Sequence, residues 1–280
     1  MRRLLFCLLI ALLSQGVLAQ TQLPQGSEEV VFIPKKLLIG SISLETTLFK
    51  PEGNGPFPLV IINHGKAFGN SHLQQRYRPL SPVRYFLERN YVVLVPMRQG
   101  FSQSGGNYSD GSCSMKANGL NQAEDISPVI EYAHKLTYVD KTKTVVVGQS
   151  HGGWITLAYG ASNPDVSVKG LVNFAGGLKN PSCGGWQSDL YRTAEDFGMQ
   201  TKLPTLWFYG DNDSFFPRDV SDAMFEHYKL GNPHSQFIAY GTFGGDSHTL
   251  FTSKDGRVIW EPYLTQFLDS IGMPSKLVNP

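Results

Sequence analysis

Cysteine is scarce in this chain of 280 residues: there are three, and none lies at zinc-ligand spacing from another cysteine or a histidine. Net charge is almost absent as well, since 24 basic residues face 23 acidic ones for a formal +1. Such a balance supplies no field for nucleic acid or for an anionic membrane, so neither is expected as a partner. Internal repeats and low-complexity blocks are missing, and the 29 glycines and 17 prolines are spread out. Only one long apolar run exists, at the N-terminus. Arg2 and Arg3 precede an apolar stretch over 4–13, and Val17-Leu18-Ala19 ends in a small residue before Gln20. This is the pattern of an export signal over 1–19, and the run is too short to span a bilayer. Cys7 sits inside that run, too early for an acylation site, and is expected to be discarded with it.

What remains after cleavage is a chain long enough for one large core, with frequent aromatics and two cysteines, Cys113 and Cys183. In an oxidising compartment two cysteines in loop-like stretches are expected to pair. The mature protein is expected outside the cytoplasm, in the periplasm or beyond the cell, with no stable membrane anchor. Its organisation reads as a leader over 20–34, a single unit over 35–272 and a tail over 273–280.

Strands are expected over 30–33 and 37–49, where Ile42, Leu44, Thr46 and Leu48 alternate with polar residues. Further strands fall at 59–63, 91–95, 144–147, 171–174, 205–209 and 236–240, several of them continuously apolar. Helices are expected over 82–88, 119–136, 154–161, 218–229 and 259–271, and a loop passing into a helix over 180–197. Alternation at this spacing predicts an α/β fold, with a mainly parallel sheet of about eight strands and helices on both faces.

Gly148-Gln149-Ser150-His151-Gly152-Gly153 follows the run Thr144-Val145-Val146-Val147 and opens a helix-compatible stretch. A serine flanked two positions away by glycines, at a strand-to-helix turn, is a nucleophile elbow. The turn leaves no room for side chains at 148 and 152, and it aims the amides of the next helix at the hydroxyl. A serine needs a base within reach, and the base needs an orienting carboxylate. His248, after the last strand, is the expected base. Asp213 is the expected carboxylate, with Asp211 and Asp246 as alternatives. Ser150, Asp213 and His248 each follow a strand, and the carboxyl ends of parallel strands are where reactive groups gather. The amides of His151 and Lys66 are the expected oxyanion donors. His134, His227 and His234 have solvated or structural readings, and His64 is read as a brace for its loop.

Together, His64-Gly65-Lys66, Arg98-x-Gly100-x-Ser102-x-Ser104-Gly105-Gly106, Gly148-x-Ser150-x-Gly152-Gly153, Gly210-x-x-Asp213 and Asp246-x-His248 resemble the α/β-hydrolases. Within that superfamily the chain is similar to the dienelactone-hydrolase-like proteins exported by Gram-negative bacteria, from about residue 35 to 270. The founding dienelactone hydrolases carry a cysteine in the elbow, where this chain has Ser150. The departure turns the expectation from dienelactone toward a serine esterase. The resemblance implies the α/β-hydrolase fold and cleavage of a small carboxylic ester through an acyl-enzyme, with no metal or organic cofactor. A serine peptidase of the prolyl-oligopeptidase type and a catalytically silent binding module are the alternatives.

The candidate pocket residues are His72, Trp186, Tyr191 and Phe215, with Phe216 beside the last; core or cap packing is the competing reading for the aromatic ones. Arg98 is expected in a structural ion pair, and the Lys66 ammonium at the pocket mouth in solvent.

Overall fold

A computed structural model describes residues 26–278, so the signal read at 1–19 lies outside the described residues. The chain opens with β1 (Gly26–Lys36), β2 (Ser41–Pro51), β3 (Phe57–Asn63), α1 (Leu80–Leu87) and β4 (Val92–Pro96). It continues through α2 (Met115–Ala123), α3 (Ile126–Ala133), β5 (Val139–Gln149), α4 (His151–Gly160) and β6 (Val168–Phe174). The last part holds α5 (Trp186–Gln200), β7 (Thr205–Tyr209), α6 (Arg218–Gly231), β8 (Ser235–Ala239) and α7 (Arg257–Ser270).

All eight strands form one sheet in the order β1-β2-β4-β3-β5-β6-β7-β8. β1 and β2 join it antiparallel, and every pairing from β4 to β8 is parallel. The expected architecture is therefore present. Its cause is visible in β3, where alternate residues feed different cores: Leu59 and Ile61 pack with α2–α6, Val60 and Ile62 with α1 and α7. A strand that is apolar at every position needs both faces covered, and this one has them. Helix α4, directly after the elbow, is buried along its whole length.

Four departures from the sequence reading stand out. The second strand starts at Ser41, and 37–40 form the hairpin turn instead: the Leu37 amide donates to the Gly40 carbonyl at 3.1 Å, and Gly40 has φ +78°. Glycine reaches that conformation without strain. The apolar residues Leu38 and Ile39 are consequently left exposed at the hairpin tip. The first strand is longer than expected and begins at Gly26, inside the stretch read as a polar leader.

The helix expected over 119–136 is two. Pro128 occupies the third position of α3, where its ring would meet the Glu124 carbonyl of an unbroken helix. Asp125, in the break, turns inward, accepts the Gln99 amide at 2.6 Å and pairs with Lys35 Nζ at 2.6 Å. Finally, the C-terminal stretch is fastened to the body. Tyr91 Oη donates to the Pro274 carbonyl at 2.7 Å, Arg89 Nε to that of Ser275 at 2.8 Å, and the Val278 amide to that of Glu88 at 3.0 Å.

Candidate active site

β5 ends at Gln149, and Ser150 turns the chain into α4 with φ 57° and ψ −128°. A non-glycine residue holds that conformation only where its surroundings impose it. Here the space allows nothing else. A Cβ on Gly148 would overlap the Gly152 carbonyl, and one on Gly152 would overlap the Asn63 carbonyl at the end of β3. The Ser150 amide donates to the Phe174 carbonyl at the end of β6, at 2.9 Å. The hydroxyl thus stands at the carboxyl edge of the sheet, between two neighbouring strands.

Two later loops reach it. His248 Nε2 lies 2.9 Å from Ser150 Oγ, and His248 Nδ1 lies 3.0 and 3.1 Å from the two carboxylate oxygens of Asp213. A carboxylate can only accept, so Nδ1 carries the proton and Nε2 is free to receive one from Ser150. The Asp213 carboxylate is fully buried and also accepts the amides of Phe215 and Phe216, each at 2.9 Å. The rival acids are occupied elsewhere. Asp211 pairs with Arg218 at 3.0 Å. Asp246 accepts the Ser214 hydroxyl at 2.6 Å and the Ser214 and His248 amides at 3.1 and 3.0 Å, tying the His248 loop to the Asp213 loop. Burial pushes the Asp246 carboxyl up, but the bonds from Ser214 and the His248 amide outweigh it and hold it below the usual range. Gln149 Nε2 donates to the His248 carbonyl at 3.0 Å and fastens the same loop to the elbow.

Neither amide expected to meet an oxyanion, that of His151 or that of Lys66, has an acceptor among the described residues. His151 opens α4, where a helix amide has no acceptor of its own. The Lys66 amide donates to no acceptor among the described residues. Gly65 allows its loop to lie over the nucleophile, since a Cβ there would come within 3.2 Å of Ser150 Cβ.

Behind these amides lies a network that sequence reasoning missed. Arg98 is fully buried, and among the described residues no carboxylate forms the ion pair expected of it. Its guanidinium donates instead to the His64 carbonyl at 2.6 Å, to His151 Nδ1 at 3.1 Å and to Gln122 Oε1 at 3.3 Å. His64 receives the Arg98 amide on Nε2 at 3.1 Å and donates from Nδ1 to the Gly65 carbonyl at 2.6 Å, the bracing role read for it. His151 Nε2 donates to Asn118 Oδ1 at 2.7 Å. Burial, reinforced by the Arg98 charge, holds both imidazoles well below the ordinary histidine range and so neutral. Burial also draws the guanidinium down to about 10.

Two clefts meet at Ser150. One, of about 390 Å³, is lined by His248, Gln74, Gln75, Tyr77 and Met97. The other, of about 550 Å³, is lined by Phe68, Tyr108, Asn118, Lys179, Phe215 and Phe216 among others. Lys66 lines both, with Nζ 5.3 Å from the centre of the Tyr108 ring, and burial lowers its basicity below the ordinary lysine range. Phe215, a candidate pocket residue, also lines both, its ring 4.5 Å from that of His248.

The other three candidate pocket residues lie outside these clefts. His72 is exposed on a single 3-10 turn. Trp186 packs half-buried on the α2–α6 core, and Tyr191 stacks on His227 of α6 at 5.8 Å. The chain after β6 builds no cap from α5: 175–185 crosses the site as a loop, the Gly177 amide donating to the Ser150 carbonyl at 3.3 Å, and α5 then packs away against α6. Cys113 and Cys183 form the expected disulfide, Cα atoms 5.6 Å apart. Among the described residues no group of three or more His, Cys, Asp or Glu is arranged to hold a metal, and no helix is long and apolar enough to cross a membrane.

Comparison with known proteins agrees with the fold. The model of the prolyl oligopeptidase family matches residues 79–166, a stretch that contains the elbow. A putative carboxymethylenebutenolidase of Methylorubrum extorquens is 25% identical over 244 residues, covering 85% of this chain and 79% of that protein. Among solved structures, an esterase of Pyrococcus furiosus superposes with a TM-score of 0.63 at 15% identity, over 88% of this chain and 91% of its own. A putative dienelactone hydrolase of Klebsiella pneumoniae gives 0.61 at 19% identity, over 88% and 98%.

Proposed function

We propose that this chain, which has the α/β-hydrolase fold and is similar to a putative carboxymethylenebutenolidase and a putative dienelactone hydrolase, is a serine esterase acting through an acyl-enzyme. The observation that carries the reading is the hydrogen-bonded series from Ser150 Oγ through His248 to the buried Asp213. Ser150 Oγ attacks the ester carbonyl while its proton passes to His248 Nε2, and Asp213 stabilises the imidazolium that results. The carbonyl oxygen, now negative, is met by the Lys66 and His151 amides, each worth about 3 kcal/mol in comparable sites. As the carbonyl re-forms, the ester C–O bond breaks and His248 returns the proton to the departing alkoxide. Water, deprotonated by His248, then attacks the acyl-enzyme and releases the carboxylic acid and Ser150.

The experiment is active-site labelling. A fluorophosphonate probe is expected to modify Ser150 in the wild-type protein and to leave Ser150→Ala unmodified. Folded wild-type protein that resists the probe would sink the esterase and favour a silent binding module. The match to the prolyl oligopeptidase family supports a second reading, a serine peptidase with the same nucleophile. Turnover of short esters without turnover of peptide amides decides for the esterase. The disulfide supports export as well.

A further inference from the structure

Hydrolysis at Ser150 sends the two halves of an ester in different directions. The departing oxygen has to reach His248 Nε2, because that atom holds the proton it needs. The acyl carbon stays on Ser150 Oγ, and its substituent needs a separate space. The two clefts divide in the same way. Both include Ser150, but only the one lined by Gln74, Gln75, Tyr77 and Met97 includes His248. The other includes Ser150 and His151 without His248. The alcohol therefore leaves through the first, and the acyl group occupies the second.

The acyl side is walled by aromatic rings from separate loops. Phe68 comes from the loop after β3, Tyr108 from the loop after β4, and Phe215 and Phe216 from the loop after β7. Phe68 and Phe215 lie nearly parallel, 26° apart with centroids at 6.1 Å. Phe68 is 88% exposed beside the nucleophile, a ring face with little to cover it. Offset stacking rewards a flat aromatic partner over an alkyl chain of similar area. The separation of the opposite walls is set covalently. Cys113 lies in the Tyr108–Asn118 wall, Cys183 just past the Leu178–Pro181 wall, and the disulfide joins them.

Resting on the esterase reading, we propose that this protein hydrolyses esters of planar aromatic carboxylic acids. The aromatic acyl group lies against Phe68 and Phe215, facing Tyr108, and the Cys113–Cys183 bridge sets the width of that slot. The alcohol leaves past the amide side chains of Gln74 and Gln75.

The test compares methyl 3-phenylpropenoate, methyl butyrate and phenyl acetate, followed by titration of the acid released, on the mature chain and two variants. Wild type is expected to favour the phenylpropenoate over the butyrate by about tenfold or more in kcat/KM, from stacked rings on the acyl side. Phe68→Ala removes an exposed ring without opening the core. It is expected to raise KM for the phenylpropenoate by about threefold to tenfold, and that for butyrate by less. The double variant Cys113→Ser/Cys183→Ser, confirmed folded by circular dichroism, is expected to move in the same direction. Equal or better use of butyrate by wild type overturns the proposal. So does a Phe68→Ala effect confined to phenyl acetate, which would put the ring on the alcohol side. A folded double variant with wild-type kinetics removes the disulfide from it. Failure on all three esters would fall instead on the esterase reading.

Discussion

On one side of Ser150 a carboxylate is buried, and on the other a guanidinium. Asp213 meets His248 and the two amides of Phe215 and Phe216, so its charge is spent locally on one ring and its loop. Arg98 meets a carbonyl, an amide oxygen and the ring of a neutral histidine; among the described residues no carboxylate bonds it directly, and the Asp125 charge offsets it only from a distance. A charge desolvated this way is expensive unless its field is used. In the proposed reaction both are useful, since positive charge develops on His248 while negative charge develops beside the Lys66 and His151 amides. The acid lies behind the cation that forms, and the base lies behind the oxyanion. Each half of the site is organised around the opposite sign of the charge it awaits.

Substitutions on both sides of Ser150 and a titration would break or sharpen this contrast. The largest effect is expected from Asp213→Asn, which keeps the shape but favours the wrong tautomer of His248. The kcat for ester hydrolysis should fall by about 10⁴. Asp246→Ala serves as its control, because that carboxylate bonds the His248 loop and not the ring. A fall of similar size for Asp246→Ala would overturn the division of labour between the two acids.

The next effect comes from the other side. Arg98→Met removes the hydrogen bonds to the His64 carbonyl and the His151 ring, and with them the alignment and field at both amides. A fall of about 10² in kcat is expected, comparable to losing one oxyanion donor, with Arg98→Lys recovering part of it. Turnover unchanged in a folded Arg98→Met variant would reduce Arg98 to packing.

The smallest effect is in stability. His64 and His151 are held neutral by burial and by the neighbouring Arg98 charge, with Lys66 adding to it at His151. Their folded pKa values are depressed, whereas the unfolded chain takes up protons below about 6.5. More protons are bound in the unfolded state, so stability falls with acidification, by about 1.4 kcal/mol per histidine for each pH unit below that value. Urea unfolding at pH 7 and pH 5 measures the slope, and His151→Gln should flatten it by one histidine's share. An unchanged slope would mean that His151 does not stay neutral in the folded chain.

Much of this was legible before any coordinates. Continuous apolar strands such as 59–62 predict two covered faces, and the glycines around Ser150 predict a turn with no space for side chains. The carboxylate partner of His248 was read among three acids, and hydrogen bonding separates them, because Asp211 and Asp246 are engaged elsewhere. The break at Pro128 was readable from proline chemistry and was overridden by the apolar spacing of Ala123, Ile126, Ile130 and Ala133. The hairpin tip misled for a simpler reason: Leu37-Leu38-Ile39 is apolar, yet Gly40 turns the chain before those side chains find a core. The cleft walls were not legible, since Phe68, Tyr108 and Phe215 meet through loops far apart in sequence.

The disulfide has a topological consequence as well. Its two ends are 70 residues apart, and everything between them, from α2 through β5, Ser150, α4 and β6, lies within one covalent ring. In the chain-entropy picture, closing such a ring withdraws about 4 kcal/mol of freedom from the unfolded chain. It also changes what damage can do. A single peptide bond cut inside that ring yields no separate fragments: the two pieces stay joined through Cys113–Cys183, and a cut between 150 and 183 leaves Ser150 leashed to the piece bearing Asp213 and His248.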